Sequence, residues 1–458
     1  MTDHTDLLVI GAGPGGYACA FRAADLGLSV TLVDARDRLG GVCLNEGCIP
    51  SKALLHAAEV IREAAHMADW GVEFSAPKLD LDKLRARKDH IVGNLTHGLQ
   101  GLARKRKVKV LQGKAQFTAP HSVSIDGTTL DFDKVVIAVG SSPVRLPDWP
   151  EDPRIWDSTA ALELREVPKA LAIVGGGIIG LEMATIYAAL GAEVTVIELA
   201  GQIATGADPE ATAILHAALE AQGVTIHTDT RVTAVKASKT ALTLTCTGRF
   251  AGQIKAGAVI QSVGRRANGD GLDVERAGLP SPTGGVIAAD AAGRTAQPHV
   301  FAIGDVTGNP MLAHRATHQG HIAAEVVAGH RAALDTVLIP SVAYTSPELA
   351  WVGLTQDQAK AAGRKVRATS FPWAASGRNL ASGGGDGLTK LIYDPDSHRI
   401  LGGTIVGRNA GELLAEVTLA IEMGATLEDI ALTVHAHPTL SETVAFAAER
   451  ALGMLTDL

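Results

Sequence analysis

The chain has 458 residues, 46% of them hydrophobic, with 50 glycines, four cysteines and a formal net charge of −8. That length exceeds what a single core serves and predicts three or four domains of a soluble α/β protein rich in strand-to-helix turns. The acidic balance excludes a general attraction to nucleic acid or anionic membrane, and sparse cysteines point to a reducing compartment, where a disulfide is more often catalytic than structural.

Residues 1–10 run from acidic residues into a strand, with neither a basic leader nor a long apolar span, so a cytoplasmic or already processed protein is expected. The strand leads into Gly11, Gly13 and Gly16, a helical pattern, a second β-rich run and Asp34 at its end. A lone Gly-x-Gly-x-x-Gly is a weak signal, but this whole sequence of parts is the dinucleotide fingerprint: tight turn, close approach of a diphosphate, close helix packing. Next come residues 40–52, Gly-Gly-Val-Cys-Leu-Asn-Glu-Gly-Cys-Ile-Pro-Ser-Lys. Cys43 and Cys48 are near enough to close a small ring, and Pro50 is expected to start a helix that leaves Cys48 at the positive end of its dipole. Cys48 is therefore predicted to be the more acidic thiol. Zinc is the competing reading, but Cys19 and Cys246 stand alone and supply no second half-site.

After Pro77 a charged helical run carries residues 85–90 and 104–109, expected to form a solvated face, and the Pro-rich residues 143–153 read as a linker. The first module then repeats: Gly175, Gly177 and Gly180 stand 164 residues after Gly11, Gly13 and Gly16, and Glu198 stands 164 after Asp34. Two such modules imply two dinucleotides. The acid at the second strand's end accepts from ribose hydroxyls and repels a 2′-phosphate, and no arginine comes directly after it, so this module is read as NAD-specific. Residues 262–266 are expected to end its last strand. His314, His318 and His321 lie at helical spacing without a cysteine or carboxylate to complete a metal set, and no metal site is expected there or at His435 and His437. From Pro340 the composition shifts, with strands expected near residues 389–393 and 401–407 and a helix over 410–423, a separate α+β domain. In His435-Ala-His437-Pro-Thr-Leu-Ser-Glu442, Pro438 is expected to start a helix with Glu442 little more than one turn in, near enough to orient His437 as a general base. On these residues alone, a turn-forming His-Pro pair beside an ordinary acid explains the pattern equally well.

The chain resembles the two-dinucleotide, disulfide-containing flavoprotein reductases, and within them those that oxidise dihydrolipoamide as the third component of 2-oxo acid dehydrogenase complexes. The likeness is carried by residues 43–52, 135–140 (Val-Val-Ile-Ala-Val-Gly), 300–306 (Val-Phe-Ala-Ile-Gly-Asp-Val), 310–315 (Pro-Met-Leu-Ala-His-Arg), 371–378 and 435–442, which span nearly the whole chain. It implies two Rossmann-like domains plus a C-terminal α+β dimerisation domain: 1–144 for FAD, 145–268 for NAD, 269–339 completing the FAD half, and 340–458 as the interface. FAD is expected on Gly11, Gly13, Gly16, Asp34, Lys52, Gly140, Asp305 and Ala313, with Asp34 at the adenosine ribose and Asp305 near the ribitol. NAD is expected on Gly175, Gly177, Gly180, Glu198 and Gly264. The chain departs from the family in having Asp34 where glutamate is usual, Val139 where threonine is usual, and Glu46 at a usually apolar site. A carboxylate facing the thiols would raise their pKa, so Glu46 is expected to face solvent.

The resemblance further implies the catalytic set Cys43, Cys48, His437, Glu442, Lys52 and Glu182, the last two as an ion pair beside flavin and nicotinamide. His437 deprotonates dihydrolipoamide, the thiolate attacks Cys43, and the reduced pair passes electrons through FAD to NAD. The implied partners are a second copy, whose disulfide His437 would serve, and a lipoyl-bearing acyltransferase. A glutathione-type reductase is the alternative, but it calls for arginines after the second acid; mercury or thioredoxin reduction calls for C-terminal cysteines, and residues 451–458 contain none.

Overall fold

Leu7, Leu8 and Val9 are fully buried and Ile10 is nearly so. A run of apolar residues covered on both faces belongs in the middle of a parallel sheet. In the computed structural model, which describes residues 3–335 and 338–456, the strand Asp3–Ile10 pairs in parallel with Val30–Asp34 on one side and Thr128–Ile137 on the other. The strand begins at Asp3, earlier than the acidic residues led us to expect, because Thr128–Ile137 is long enough to pair Asp3 with Leu130. Lys109–Gln112 extends one edge, the antiparallel strands Ser122–Ile125 and Ala115–Ala119 the other, and Val300–Ala302 joins Thr128–Ile137 in parallel. Helices Pro14–Asp25 and Ala313–Val327 cover one face with Ala20, Ala23, Ala323 and Ala324, while Phe117, Phe132 and Leu272 fill the other. A Cβ on Gly320 would lie 2.4 Å from the Gly15 carbonyl oxygen, so these helices meet backbone to backbone.

Two units divide the chain. The first comprises Met1–Ala53, Asp80–Val144 and Gly264–Asp335; the second Leu54–Leu79, Arg145–Val263 and Thr336–Leu458. In the first, the charged run is the helix Leu81–Lys105, capped by Asp80 and mostly exposed, but Lys88 is a correction to the solvated-face expectation. It lies on the inner face with Val92, Thr96 and Ala103, its stem buried and its ammonium 2.9 Å from Asp89.

In the second unit the parallel strands run in the order Thr225–His227, Glu193–Ile197, Ala170–Val174, Ala258–Gln261, Ile155–Trp156. A three-stranded antiparallel sheet covers them, its Val235, Leu242 and Leu244 packing on Ala172, Val174 and Ile197. The C-terminal segment is a five-stranded antiparallel sheet in the order Ser341–Ala343, Glu348–Gly353, Ile400–Gly407, Leu388–Tyr393, Arg367–Pro372. Helices Ala410–Glu422 and Glu442–Leu452 pack on it through Val417 and Val444, around Phe371 and Trp373. The strands and helix expected here are present within a residue of their predicted ends. Among the described residues no helix is long and apolar enough to cross a membrane.

Candidate active site

Gly11 turns with φ +105°, and a Cβ there would sit 2.3 Å from the Ala138 carbonyl oxygen; on Gly16 it would sit 1.7 Å from that of Gly11. Only glycine fits either position. Gly13 caps the helix Pro14–Asp25 without any side-chain hydrogen bond, leaving a bare, positively polarised N-terminus, the setting in which backbone N–H groups receive a diphosphate. The second loop repeats this. A Cβ on Gly175 would lie 2.4 Å from the Ser262 oxygen and one on Gly180 2.0 Å from the Gly175 oxygen, and Gly177 leaves the start of Ile178–Ala189 equally bare.

The two strand-end acids are held in matching ways. Asp34 accepts the Ala12 N–H at 2.7 Å and the Arg36 N–H at 2.9 Å; Glu198 accepts those of Gly176 at 2.6 Å and Ala200 at 2.7 Å. Each oxygen retains a second lone pair for a ribose hydroxyl. Leu199, next along, is 56% exposed, and residues 199–206 contain no arginine.

The cysteines stand beside the first loop, for the Gly40 N–H donates to the Ala12 carbonyl and a Cβ on Gly41 would lie 2.5 Å from the Gly13 Cα. Cys43 is in the short helix Gly41–Glu46 and Cys48 opens the helix Cys48–His66, two residues earlier than Pro50 led us to expect. Asn45, between them, donates to the Leu39 and Gly41 carbonyls at 3.0 and 2.9 Å and pins the turn. Cys48 is exposed and Cys43 half-buried. Cys43 donates to Cys48, and this hydrogen bond, with burial and the Cys48 charge, pushes its pKa well above the ordinary thiol value, while Lys52 one turn along opposes the rise. Glu46 is turned aside into an ion pair with Arg36 at 3.1 Å and is 32% exposed.

Gly140 turns with φ +70° after Thr128–Ile137, Asp305 lies in the 3-10 turn Gly304–Thr307, and Ala313 begins the helix Ala313–Val327. Gly264 accepts the Val144 N–H at 3.0 Å. Glu182 is 4% exposed and accepts the Tyr344 N–H at 3.2 Å.

His437 and Glu442 meet at 2.8 Å through Nδ1 and Oε1, and Oε2 accepts the Thr439 N–H at 2.7 Å. The helix begins at Glu442 and not at Pro438, a correction: Thr439 bonds Ala436 and Ser441 and holds residues 438–441 as a turn. The carboxylate reaches back across that turn. His437 is 81% exposed, and its Nε2 has no partner among the described residues. His435 differs, being 8% exposed with Nε2 on Glu416 and Nδ1 on the Thr433 carbonyl. No nitrogen is left on it for chemistry. Among the described residues no three His, Cys, Asp or Glu side chains gather as a metal site.

Three residues escaped the sequence reading. Tyr17 comes directly after the third glycine, and burial and the charges of Cys43 and Cys48 raise its phenol. Ser141 and Arg265 join Asp305 in one hydrogen-bonded chain. The sequence signal for Tyr17 was a hydroxyl beside the fingerprint; for the other two there was none.

Comparison with known proteins matches residues 5–320 to the pyridine nucleotide-disulphide oxidoreductase model and 339–448 to the dimerisation domain of that family. The chain is 50% identical over 459 residues to a protein of Vibrio cholerae and 52% over 461 to one of Haemophilus influenzae, each match covering 99% of this chain and 96% of the relative. Both relatives are named dihydrolipoyl dehydrogenase. Among solved structures, LpdA of Mycobacterium tuberculosis superposes with a TM-score of 0.89 at 26% identity, covering 98% of this chain and all of that one. The HOCl-induced flavoprotein disulfide reductase RclA of Escherichia coli gives 0.87 at 26%, covering 97% and 99%. Two bare glycine loops, a hydrogen-bonded thiol pair beside the first and full-length likeness agree: the chain belongs to the pyridine nucleotide-disulphide oxidoreductase family.

Proposed function

We propose that this chain is a dihydrolipoamide dehydrogenase. It oxidises the lipoyl dithiol carried by an acyltransferase component of a 2-oxo acid dehydrogenase complex, with NAD as acceptor, in the cytoplasm. The observation that carries the reading is the Cys43 thiol bonded to Cys48 beside the first glycine loop. Residues 1–144 and 269–339 hold FAD through the loop Gly11 to Gly16, Asp34, Lys52, Gly140, Asp305 and Ala313; residues 145–268 hold NAD through the loop Gly175 to Gly180, Glu198 and Gly264. Lys52 and Glu182 act beside the two rings. The dimerisation-domain match supports a homodimer through residues 340–458. The exposed imidazole of His437 suits a base that serves the disulfide of a second copy.

The side chains divide the chemistry between them. Glu442 accepts the Nδ1 hydrogen of His437, so Nε2 is the basic nitrogen and takes a proton from one substrate thiol. The thiolate attacks Cys43 Sγ, breaking the Cys43–Cys48 bond and releasing Cys48 as thiolate. The second substrate sulfur then attacks the first, closing the lipoamide disulfide and freeing Cys43, which takes up a proton. FAD, when bound, supplies the two-electron transfer from the thiol pair to NAD. A steady-state comparison tests the reading: dihydrolipoamide with NAD is turned over, glutathione disulfide with NADPH is not, and His437→Gln loses about 10²- to 10⁴-fold of the former. The reverse preference would make the chain a glutathione-type reductase.

A further inference from the structure

We propose that Ser141 is a positioning residue for Asp305, relaying the Arg265 guanidinium to the carboxylate and thereby setting how tightly the first unit holds FAD. The inference rests on the reading of Asp305 as a partner of the flavin's sugar chain.

Ser141, Arg265 and Asp305 are far apart in sequence and adjacent in space. Arg265 Nε donates to Ser141 Oγ at 2.7 Å, Arg265 Nη2 donates to the Ser141 carbonyl at 2.7 Å, and Ser141 Oγ donates to Asp305 Oδ2 at 2.5 Å. A guanidinium has donors only, so the serine oxygen must accept from Arg265 and its one hydrogen must go to Asp305. The chain can run in one direction only. Arginine at one end and a carboxylate at the other polarise the hydroxyl between them, and Ser141 is 3% exposed, so water does not dilute the effect.

The surroundings leave this one task to the hydroxyl. The Asp305 turn is fixed through its backbone: the Gly304 N–H donates to Gln319 Oε1 at 2.8 Å and the Gly308 N–H to the Asp305 carbonyl at 3.0 Å. The Ser141 backbone is likewise secured, because Ser141–Pro143 pairs antiparallel with Arg265–Ala267, and Asn268 donates to the Gly140 and Val139 carbonyls. The other nearby cation, Arg315, is occupied by the Gly308 and Pro310 carbonyls and Thr307 Oγ1. Ser141 donates the side-chain hydrogen bond that pins Asp305 Oδ2, and the Arg315 guanidinium adds only a charge at longer range. A carboxylate fixed by one oxygen is pre-organised to accept a sugar hydroxyl.

The test is the FAD dissociation constant, read from flavin fluorescence as apoprotein is reconstituted, with the NAD dissociation constant as control. Ser141→Ala is expected to weaken FAD by about tenfold or more, Ser141→Thr to stay within about twofold of the unmodified protein, and NAD affinity to be unmoved in both. Arg265→Gln weakens FAD by itself, and its further loss in the Ser141→Ala background is smaller, because the relay is already cut and only the bond to the Ser141 carbonyl is left to lose. Unchanged FAD binding in Ser141→Ala, equal loss in Ser141→Thr, or additive losses in the double variant would each overturn the relay. Failure of the unmodified protein to take up FAD would sink the cofactor reading and the relay with it, a result distinct from wild-type affinity in Ser141→Ala.

Discussion

The two glycine loops share one backbone plan. Gly11 and Gly175 both turn with positive φ, at +105° and +110°, and Asp34 and Glu198 each accept the second loop residue's N–H and the N–H two residues beyond the acid. The helices that leave the loops differ. The helix Pro14–Asp25 carries Tyr17 close enough to feel both redox thiols, and its Arg22 pairs with Glu325 at the surface. The helix Ile178–Ala189 is buried along nearly its whole length and carries Glu182 inside. The backbone plan is common to the two loops; the side chains just beyond it differ, Tyr17 in one helix and Glu182 in the other. Even buried positions diverge, for Cys19 and Met183 occupy matching places in the two helices.

The largest effects come from breaking one loop at a time. In Gly16→Ala the new Cβ meets the Gly11 oxygen and in Gly180→Ala the Gly175 oxygen, each costing about 3 kcal/mol of local distortion. The first is expected to purify with little flavin absorbance. The second is expected to keep its flavin while losing NAD turnover; loss of flavin in both would mean that the loops do not act separately.

A smaller effect separates the two acids. Glu198→Ala with Ala200→Arg removes a carboxylate and adds a cation where a 2′-phosphate would lie, and is expected to raise kcat/KM for NADP relative to NAD by about tenfold, or about 1.4 kcal/mol. Asp34→Ala should leave that ratio alone. An unmoved ratio in the first variant would remove Glu198 from the ribose.

The smallest effect is a pH dependence. Burial raises the Cys19 thiol from 9.0 to about 12, so the folded chain binds this proton more tightly than the unfolded chain. Stability is intact below pH 9 and is lost as pH rises from there toward about 12. The Tyr187 phenol, raised by burial, adds to the loss only above its ordinary value of 10.0, whereas Met183 never titrates. Melting curves should fall between pH 9 and 10, less steeply in Cys19→Ala; parallel curves would place the alkaline lability elsewhere.

Much of this was legible in the sequence because backbone sterics leave no choice. Gly11, Gly16, Gly175 and Gly180 sit where any side chain collides with a carbonyl, so the residue type reports the conformation. The thiol pair was legible because its members are close in the chain. Contacts across long separations were not: Ser141, Arg265 and Asp305 meet only because the strands carrying them pair in space. The Glu442 helix start was misplaced because turn bonds of Thr439 outweigh a proline's tendency to begin a helix. Lys88 escaped because a charge says nothing about where its aliphatic stem lies.

The most direct test of the central claim is an anaerobic single turnover. Oxidised holoprotein mixed with one equivalent of dihydrolipoamide, quenched with iodoacetamide and mapped by mass spectrometry, should carry new label within the Cys43 and Cys48 pair, with none at buried Cys19 or Cys246. Chased instead with NAD, it should yield one equivalent of NADH and no label. NADH formed at the native rate by Cys43→Ser, or label absent from both cysteines after substrate is consumed, would contradict the account.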